Sequence, residues 1–264
     1  MKSYHVHSNI PYLPGIKNII CVGSGKGGVG KSTVAFHIAL ELKDRGYNVG
    51  ILDADIYGPS LPTLTQIHEK AAVDSEKNLL NPHIYRGCPT ISLGHLVDPK
   101  SAVCWRGPMA AGALMQLFQN VQWGELDFLI VDLPPGTGDL LLTLAQKIPV
   151  TAALLVGVNH PLTFADLVRA ENFFEKMNIP VLGKVFNMER YTENSNNETD
   201  ILANIPFDLN IFEATAQGKA VSDLEAQGPA HKAFIQCVDR FLEKLSSQPI
   251  RRSISFSLET AGTD

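Results

Sequence analysis

Gly25-Lys26-Gly27-Gly28-Val29-Gly30-Lys31-Ser32-Thr33 stands between the apolar run Asn18 to Val22 and the stretch Val34 to Arg45. In that stretch Val34, Ile38 and Leu42, and Ala35 with Ala39, recur at helical spacing. Gly25 through Ser32 satisfies G-x-x-x-x-G-K-[ST], and strand, loop, helix is the context that makes the pattern a phosphate-binding loop. Glycines are needed because the backbone must turn tightly and aim its N–H groups inward, while the helix N-terminus adds the positive end of its dipole. Lys31 then neutralises β- and γ-phosphates, and the Ser32 hydroxyl is a ligand for Mg²⁺. Gly46 supplies the stop expected of a helix C-terminus.

Outward from the loop the chain alternates strand and helix. Val49 to Leu52 reads as a strand ending at Asp53 and Asp55, and Phe128 to Val131 as one ending at Asp132. Ala152 to Val158 and Val181 to Phe186 read as further strands, Phe164 to Met177 as an amphipathic helix and Ala230 to Leu245 as a closing helix. Continuous apolar strands separated by helices imply a three-layer α/β fold, a mostly parallel sheet with helices on both faces. Ligands bind such a sheet at the C-terminal ends of its strands, so the loop and the three aspartates should converge. Two apart, Asp53 and Asp55 would share one side of an extended segment. Asp55 is assigned to orient an attacking water and Asp53 to the metal environment, while Asp132 is the Walker B carboxylate that holds Mg²⁺ through water. Asp132 to Asp139 has the Pro and Gly content of a loop that moves with a γ-phosphate. The polar stretches Glu69 to Asn81 and Tyr191 to Thr199 read as surface loops. The expected division is an N-terminal extension over 1–17, a P-loop ATPase domain over 18–247 and a flexible C-terminal tail over 248–264.

Composition bounds the function. The 264 residues, 45% hydrophobic and 19% charged, are those of an ordinary globular chain. A net charge of -5, with no dense basic run beyond Arg251 and Arg252, lacks the footprint of nucleic-acid binding. No segment has the apolar length of a signal or a membrane span, and Ile254, Phe256 and Leu258 alternate at strand spacing where a membrane-binding helix would not, so a cytoplasmic protein is expected. The four cysteines are far apart and should remain thiols. Cys21 and Cys237 read as small core hydrophobes, whereas Cys88 and Cys104 fall in less regular stretches without metal-ligand spacing. His5, His7, His83 and His95 show no ligand pattern either.

Lys26 is a second lysine within the loop; with Lys31 on the phosphates it reads as reaching elsewhere, the alternative being a solvated loop charge. Gly-Lys-Gly-Gly-Val-Gly-Lys-Ser-Thr resembles the deviant Walker A motif of the ATPases that include MinD, ParA, the nitrogenase iron protein and the Mrp/ApbC group. In those families the first lysine crosses a dimer interface. The resemblance therefore implies a homodimer around two ATP molecules, in which Lys26 acts as an arginine finger does and Lys26, Lys31 and Asp55 carry the hydrolysis. Asp53 to Ser60, Trp105 to Met109, Trp123 to Asp127 and Asp132 to Asp139 resemble the Mrp/ApbC iron-sulfur cluster carriers specifically, over about Asn18 to Leu245. That resemblance implies adenine contacts from Asn187 and from Ile205-Pro206-Phe207-Asp208, and partners among iron-sulfur scaffold or acceptor proteins. One feature departs from the group. Its members usually follow Asn-Met with a Cys-x-x-Cys pair, but Asn187-Met188 is followed by Glu189 to Asp200 with no cysteine. A cluster needs thiolates placed to meet, so its ligands here stay unassigned. Two functions remain open: an ATPase assisting iron-sulfur cluster assembly or transfer, which the motif set favours, and a MinD- or ParA-like regulatory or positioning switch.

Overall fold

The computed structural model describes residues 13, 15–96, 107–190, 200–224 and 228–248. In chain order these form β1 Ile19–Ser24, α1 Lys31–Asp44, β2 Val49–Asp53, α2 Leu61–Thr65, β3 Val73–Asp74, β4 Leu79–Leu80, β5 His83–Tyr85 and β6 Cys88–Ser92. Then follow α3 Gly107–Gln119, β7 Phe128–Asp132, α4 Asp139–Lys147, β8 Ala152–Gly157, α5 Pro161–Lys176, β9 Val181–Glu189, β10 Ile201–Pro206, α6 Leu209–Ala216 and α7 Pro229–Ser247. Among the described residues one sheet runs in the order β10-β9-β8-β1-β7-β2-β6-β5. Its pairs are parallel except β5 with β6, which is antiparallel.

Every residue of β1, β2, β7 and β8 is buried, which is why these strands are apolar without alternation. Alternation survives in where the side chains go. Ile20 and Val22 face a core built with Ile38, Leu42, Phe234 and Phe241 of α1 and α7. Ile19 and Cys21 face the opposite core, built with Leu117, Leu144, Leu167 and Phe174 of α3, α4 and α5. Gly46, at φ 88°, ends α1 as expected, with its N–H on the Lys43 carbonyl (2.9 Å) and that of Tyr47 on the Leu42 carbonyl (3.2 Å).

Several local expectations need correction. Glu69 to Asn81 is not wholly irregular, because Val73 pairs with Leu80 and Asp74 with Leu79 in an antiparallel hairpin. Its two-residue strands are too short for any periodicity, and the Asp74 carboxylate closes the turn by accepting from the N–H groups of Glu76 and Lys77. β9 continues to Glu189, since Pro206 of β10 pairs with Glu189, so Asn187 lies inside a strand and not at its end. Cys88 begins β6 and is fully buried. Leu13 is buried too, and Lys17 donates to Asp127 Oδ1 (2.8 Å), so this part of the stretch read as an extension packs on the sheet. Tyr191 to Thr199, Cys104, Trp105, Arg106, His5, His7 and the chain after Gln248 lie outside the described residues.

Two buried histidines join helices and turns. His37 of α1 donates from Nδ1 to the Thr33 carbonyl (2.8 Å) and accepts at Nε2 from the Val221 N–H (3.1 Å). Burial lowers its pKa from 6.5 to about 4, and burial likewise lowers that of His95 to about 4. Both groups stay neutral in the folded chain while the unfolded chain takes up protons. Their stability contribution is thus complete above 6.5 and is lost as pH falls through about 4. Denaturant titrations between pH about 7.5 and about 5 isolate His37 as a difference: the stability of His37→Asn relative to wild type should rise toward acid pH, with a slope of about one proton. An unaltered slope in that variant would refute the assignment.

Candidate functional site

The glycine loop leaves β1 at Ser24 and enters α1 at Lys31. Gly28 and Gly30 sit at φ 81° and 78°, in the left-handed region that favours glycine. At Gly30 space is missing as well, because a Cβ would lie 2.2 Å from Nδ2 of Asn187. That amide donates to the Val29 carbonyl (3.0 Å) and braces the loop from behind. The first helical bond of α1 runs from the Val34 N–H to the Gly30 carbonyl (3.0 Å), so the N–H groups of Lys31, Ser32 and Thr33 open toward the loop. This helix start has neither a side-chain cap nor an acidic residue in its first turn, which leaves its positive end to an anion. A cavity of about 310 Å³ lies here, with Lys26, Gly28, Lys31, Ser32, Thr33 and Asp55 among its walls.

Lys31 is buried and forms a 2.5 Å ion pair with Asp132 Oδ1, with Asp55 Oδ2 at 4.0 Å and Ser32 Oγ at 3.4 Å. Burial raises the pKa of Asp132 above the usual carboxylate range, and the Lys31 charge opposes that rise. Asp55 lines the cavity and accepts from the Gly58 N–H (3.3 Å). Lys26 is exposed at the cavity mouth and forms no ion pair among the described residues. Backbone bonds lace together the loops that follow the central strands: Ala54 N–H to the Asp132 carbonyl (2.8 Å), Leu133 N–H to that of Val22 (3.0 Å) and Gly136 N–H to that of Ser24 (2.9 Å).

Asp53 and Asp55 have different surroundings. The chain turns immediately after Asp53, with the Ile56 N–H on the Ala54 carbonyl (3.1 Å), so the two-residue periodicity does not extend to Asp55. Asp53 is buried, and both its oxygens are engaged by protein donors: Oδ1 by the Asp55 N–H, and Oδ2 by the N–H groups of Ser60 and Leu61 and the Ser92 hydroxyl. Burial, and then the neighbouring Asp132 carboxylate, push its pKa up to about 7. Ser92 went unnoticed in the sequence, although its place at the end of a strand beside β2 is a signal a parallel sheet makes meaningful.

Asn187, Pro206 and Asp208 sit near or beyond the C-terminal ends of β9 and β10. Asp208 caps α6 by accepting from the Asn210 N–H (2.9 Å), and the Arg190 guanidinium lies 5.4 Å from the Phe207 ring centroid. The described cysteines do not suit a metal. Cys21, Cys88 and Cys237 are buried, and burial pushes their thiols up to about 12, 11 and 12. Among the described residues no group of three or more His, Cys, Asp or Glu side chains could hold a metal ion.

A strand, glycine loop and helix on a parallel sheet, with carboxylates gathered from neighbouring strand ends, define the P-loop NTPase class. The chain belongs to the ParA family, in its form described as NUBPL iron-transfer P-loop NTPase, which matches residues 15–201. It is 41% identical over 245 residues to the iron-sulfur cluster carrier protein of Salmonella typhimurium, a match covering 91% of this chain and 64% of that protein. Among solved structures it is similar to a nucleotide-binding protein of Archaeoglobus fulgidus in complex with ADP, with a TM-score of 0.68 and 33% identity over 80% of this chain and 90% of that one. It also shares the fold of the cell division ATPase MinD of Pyrococcus furiosus, with a TM-score of 0.68 and 22% identity over 86% and 99% of the two chains.

The geometry of the loop yields a test. Gly30→Ala adds both an unfavourable φ and a clash with Asn187, so it should lower folding stability by about 1–3 kcal/mol and abolish nucleotide binding. Adding Asn187→Ala should recover only part of the stability, because the φ strain remains. Thermal unfolding and fluorescent-nucleotide titration of both variants measure this, and wild-type binding by Gly30→Ala would refute it.

Proposed function

We propose that this protein binds and hydrolyses ATP as a homodimer and uses that cycle to assist iron-sulfur cluster assembly or transfer. The observation that carries this reading is one cavity walled by Lys26, Lys31 and Asp55, with the buried Asp132 carboxylate paired to Lys31. In this reading residues 18–247 form the ATPase domain, flanked by an extension over 1–17 whose described part packs against it and by a tail over 248–264. The chain spans 64% of the length of its Salmonella relative, whose name supplies the cargo in this proposal.

The loop N–H groups from Gly25 to Thr33 hold the β- and γ-phosphates, and Lys31 transfers its charge from Asp132 to them. Ser32 and Asp132 are the residues that would hold Mg²⁺, which would supply further neutralising charge. Asp53, whose oxygens accept from protein donors, acts behind that site as a support in this reading. Asp55 orients a water whose oxygen bonds to the γ-phosphorus as the bond to the bridging oxygen breaks, releasing ADP and phosphate. Lys26 reaches the partner's nucleotide, and Asn187, Pro206 and Asp208 contact adenine. Exposed Tyr57, Leu162, Phe207, Leu209 and Phe212 follow the C-terminal ends of β2, β8 and β10, on the same edge of the sheet as the loop. Such an apolar rim suits burial against a second copy. Basal turnover is slow until a scaffold or acceptor protein engages.

The cluster is cargo, and its thiolates come from a scaffold or acceptor protein or from residues beyond those described, since the described thiols are buried. A regulatory or positioning switch of the MinD or ParA kind is the second reading, favoured by that same lack of accessible thiols. Neither reading calls for nucleic acid or a membrane, and no helix among the described residues is long and apolar enough to cross one. We place the protein in the cytoplasm, where its thiols stay reduced.

Lys31→Ala should abolish ATP binding, whereas Lys26→Ala should retain binding and lose hydrolysis by about 10³-fold or more. Undiminished hydrolysis by Lys26→Ala would eliminate the ATP sandwich. Asp132→Asn should weaken nucleotide binding in Mg²⁺ but not Mg²⁺-free binding, where the lost charge no longer competes for Lys31, as read by titration with and without the metal. Anaerobic incubation with iron and sulfide, with and without ATP, separates the two functions. Stoichiometric cluster on this chain or passed to an acceptor supports the carrier, and none in either place supports the switch.

A further inference from the structure

Asp53, Ser92 and His95 form a buried chain of hydrogen bonds behind the cavity wall. Asp53 Oδ1 accepts from the Asp55 N–H at 3.0 Å. Its Oδ2 accepts from the Ser60 N–H at 2.8 Å, the Leu61 N–H at 3.0 Å and the Ser92 hydroxyl at 3.0 Å. One carboxylate thus grips the loop of residues 54–60 where it leaves β2 and again where it enters α2. That loop carries Asp55 and Gly58, which both line the cavity.

The chain continues away from the site. Ser92 Oγ accepts from the Gly94 N–H (3.0 Å), which leaves its hydrogen directed at Asp53. The Ser92 N–H donates to His95 Nδ1 (3.1 Å), so the ring proton resides on Nε2, which donates to the Ile67 carbonyl (3.1 Å) just past α2. The five-residue helix α2 is therefore tied at its start through Asp53 and beyond its end through His95. Capping α2 alone would need only the Ser60 and Leu61 contacts. The Ser92 and His95 bonds add something else: they fasten the loop to β6 and to the rigid sheet.

We propose that Ser92 and His95 are positioning residues for ATP hydrolysis, which act through Asp53 to fix the loop that aims Asp55 at the phosphate end of the cavity. The proposal rests on the reading that Asp55 orients the attacking water. Catalysis by orientation is steep in distance, since a displacement of about 1 Å can cost about 10²-fold in rate. Losing the Ser92 bond should therefore appear in turnover and not in nucleotide affinity.

Ser92→Ala is compared with Thr90→Val. Thr90 is buried on the same strand and donates to the His83 carbonyl (3.2 Å), so its variant loses a similar bond while every hydrogen bond to Asp53 and Ser92 remains. The expected result is a kcat for Ser92→Ala at least about tenfold below that of Thr90→Val, with KM and nucleotide affinity near wild type in both. Amide hydrogen exchange at Asp55, Ser60 and Leu61 should accelerate in Ser92→Ala and not in Thr90→Val. Equal kcat in the two variants, or unchanged exchange at those amides in Ser92→Ala, would overturn the proposal. Exchange reports on the clamp even in a chain without turnover, so a wild-type protein that hydrolyses no ATP would defeat the ATPase reading separately.

Discussion

Lys31 and Asp132 meet at 2.5 Å in a place neither could occupy alone. An unpaired charge buried at this depth costs several kcal/mol, so each group requires the other, and the pairing holds β1, α1 and β7 to a single relative placement. The register makes the contact possible: Val22 of β1 lies opposite Asp132 of β7, so the phosphate loop begins two residues past the strand end that supplies its counter-ion. A phosphate entering the loop competes with Asp132 for the same ammonium. Nucleotide binding is thereby linked to the charge balance of the neighbouring carboxylates.

The loops that follow β1, β2 and β7 share this edge of the sheet, and the backbone bonds joining them make it one connected surface. Asp53 extends the connection into β6 through Ser92. The two acidic residues of the Asp53-Ala54-Asp55 stretch therefore do different work. Asp55 faces the cavity, while Asp53 is surrounded by donors that satisfy a buried carboxylate. The sequence assigns them different roles, and burial separates their surroundings as well.

The cysteines show how strongly environment controls chemistry. Cys21 and Cys237 belong to opposite core layers, and Cys88 lies in a strand beside Lys43, whose charge only partly counters the effect of burial on its thiol. Thiolates are the cluster-binding form, and apolar burial disfavours them. For the described part of the chain, a role with iron-sulfur clusters thus depends on thiolates brought from elsewhere.

From sequence alone, the glycine spacing and its setting between an apolar strand and a helix identified the phosphate loop, because only such a backbone can surround a phosphate with N–H groups. Runs without alternation identified a parallel sheet covered on both faces, because such strands are buried on both sides. The hairpin at Val73 to Leu80, the extension of β9 through Asn187 and the burial of Cys88 were not legible, since each depends on which strand or helix lies alongside. Tertiary structure alone decided that Asp53 supports the loop while Asp55 faces the cavity, and that Ser92 and His95 stand behind them. Those roles arise from hydrogen bonds between segments up to 39 residues apart, and no local pattern records which donors a buried carboxylate will meet.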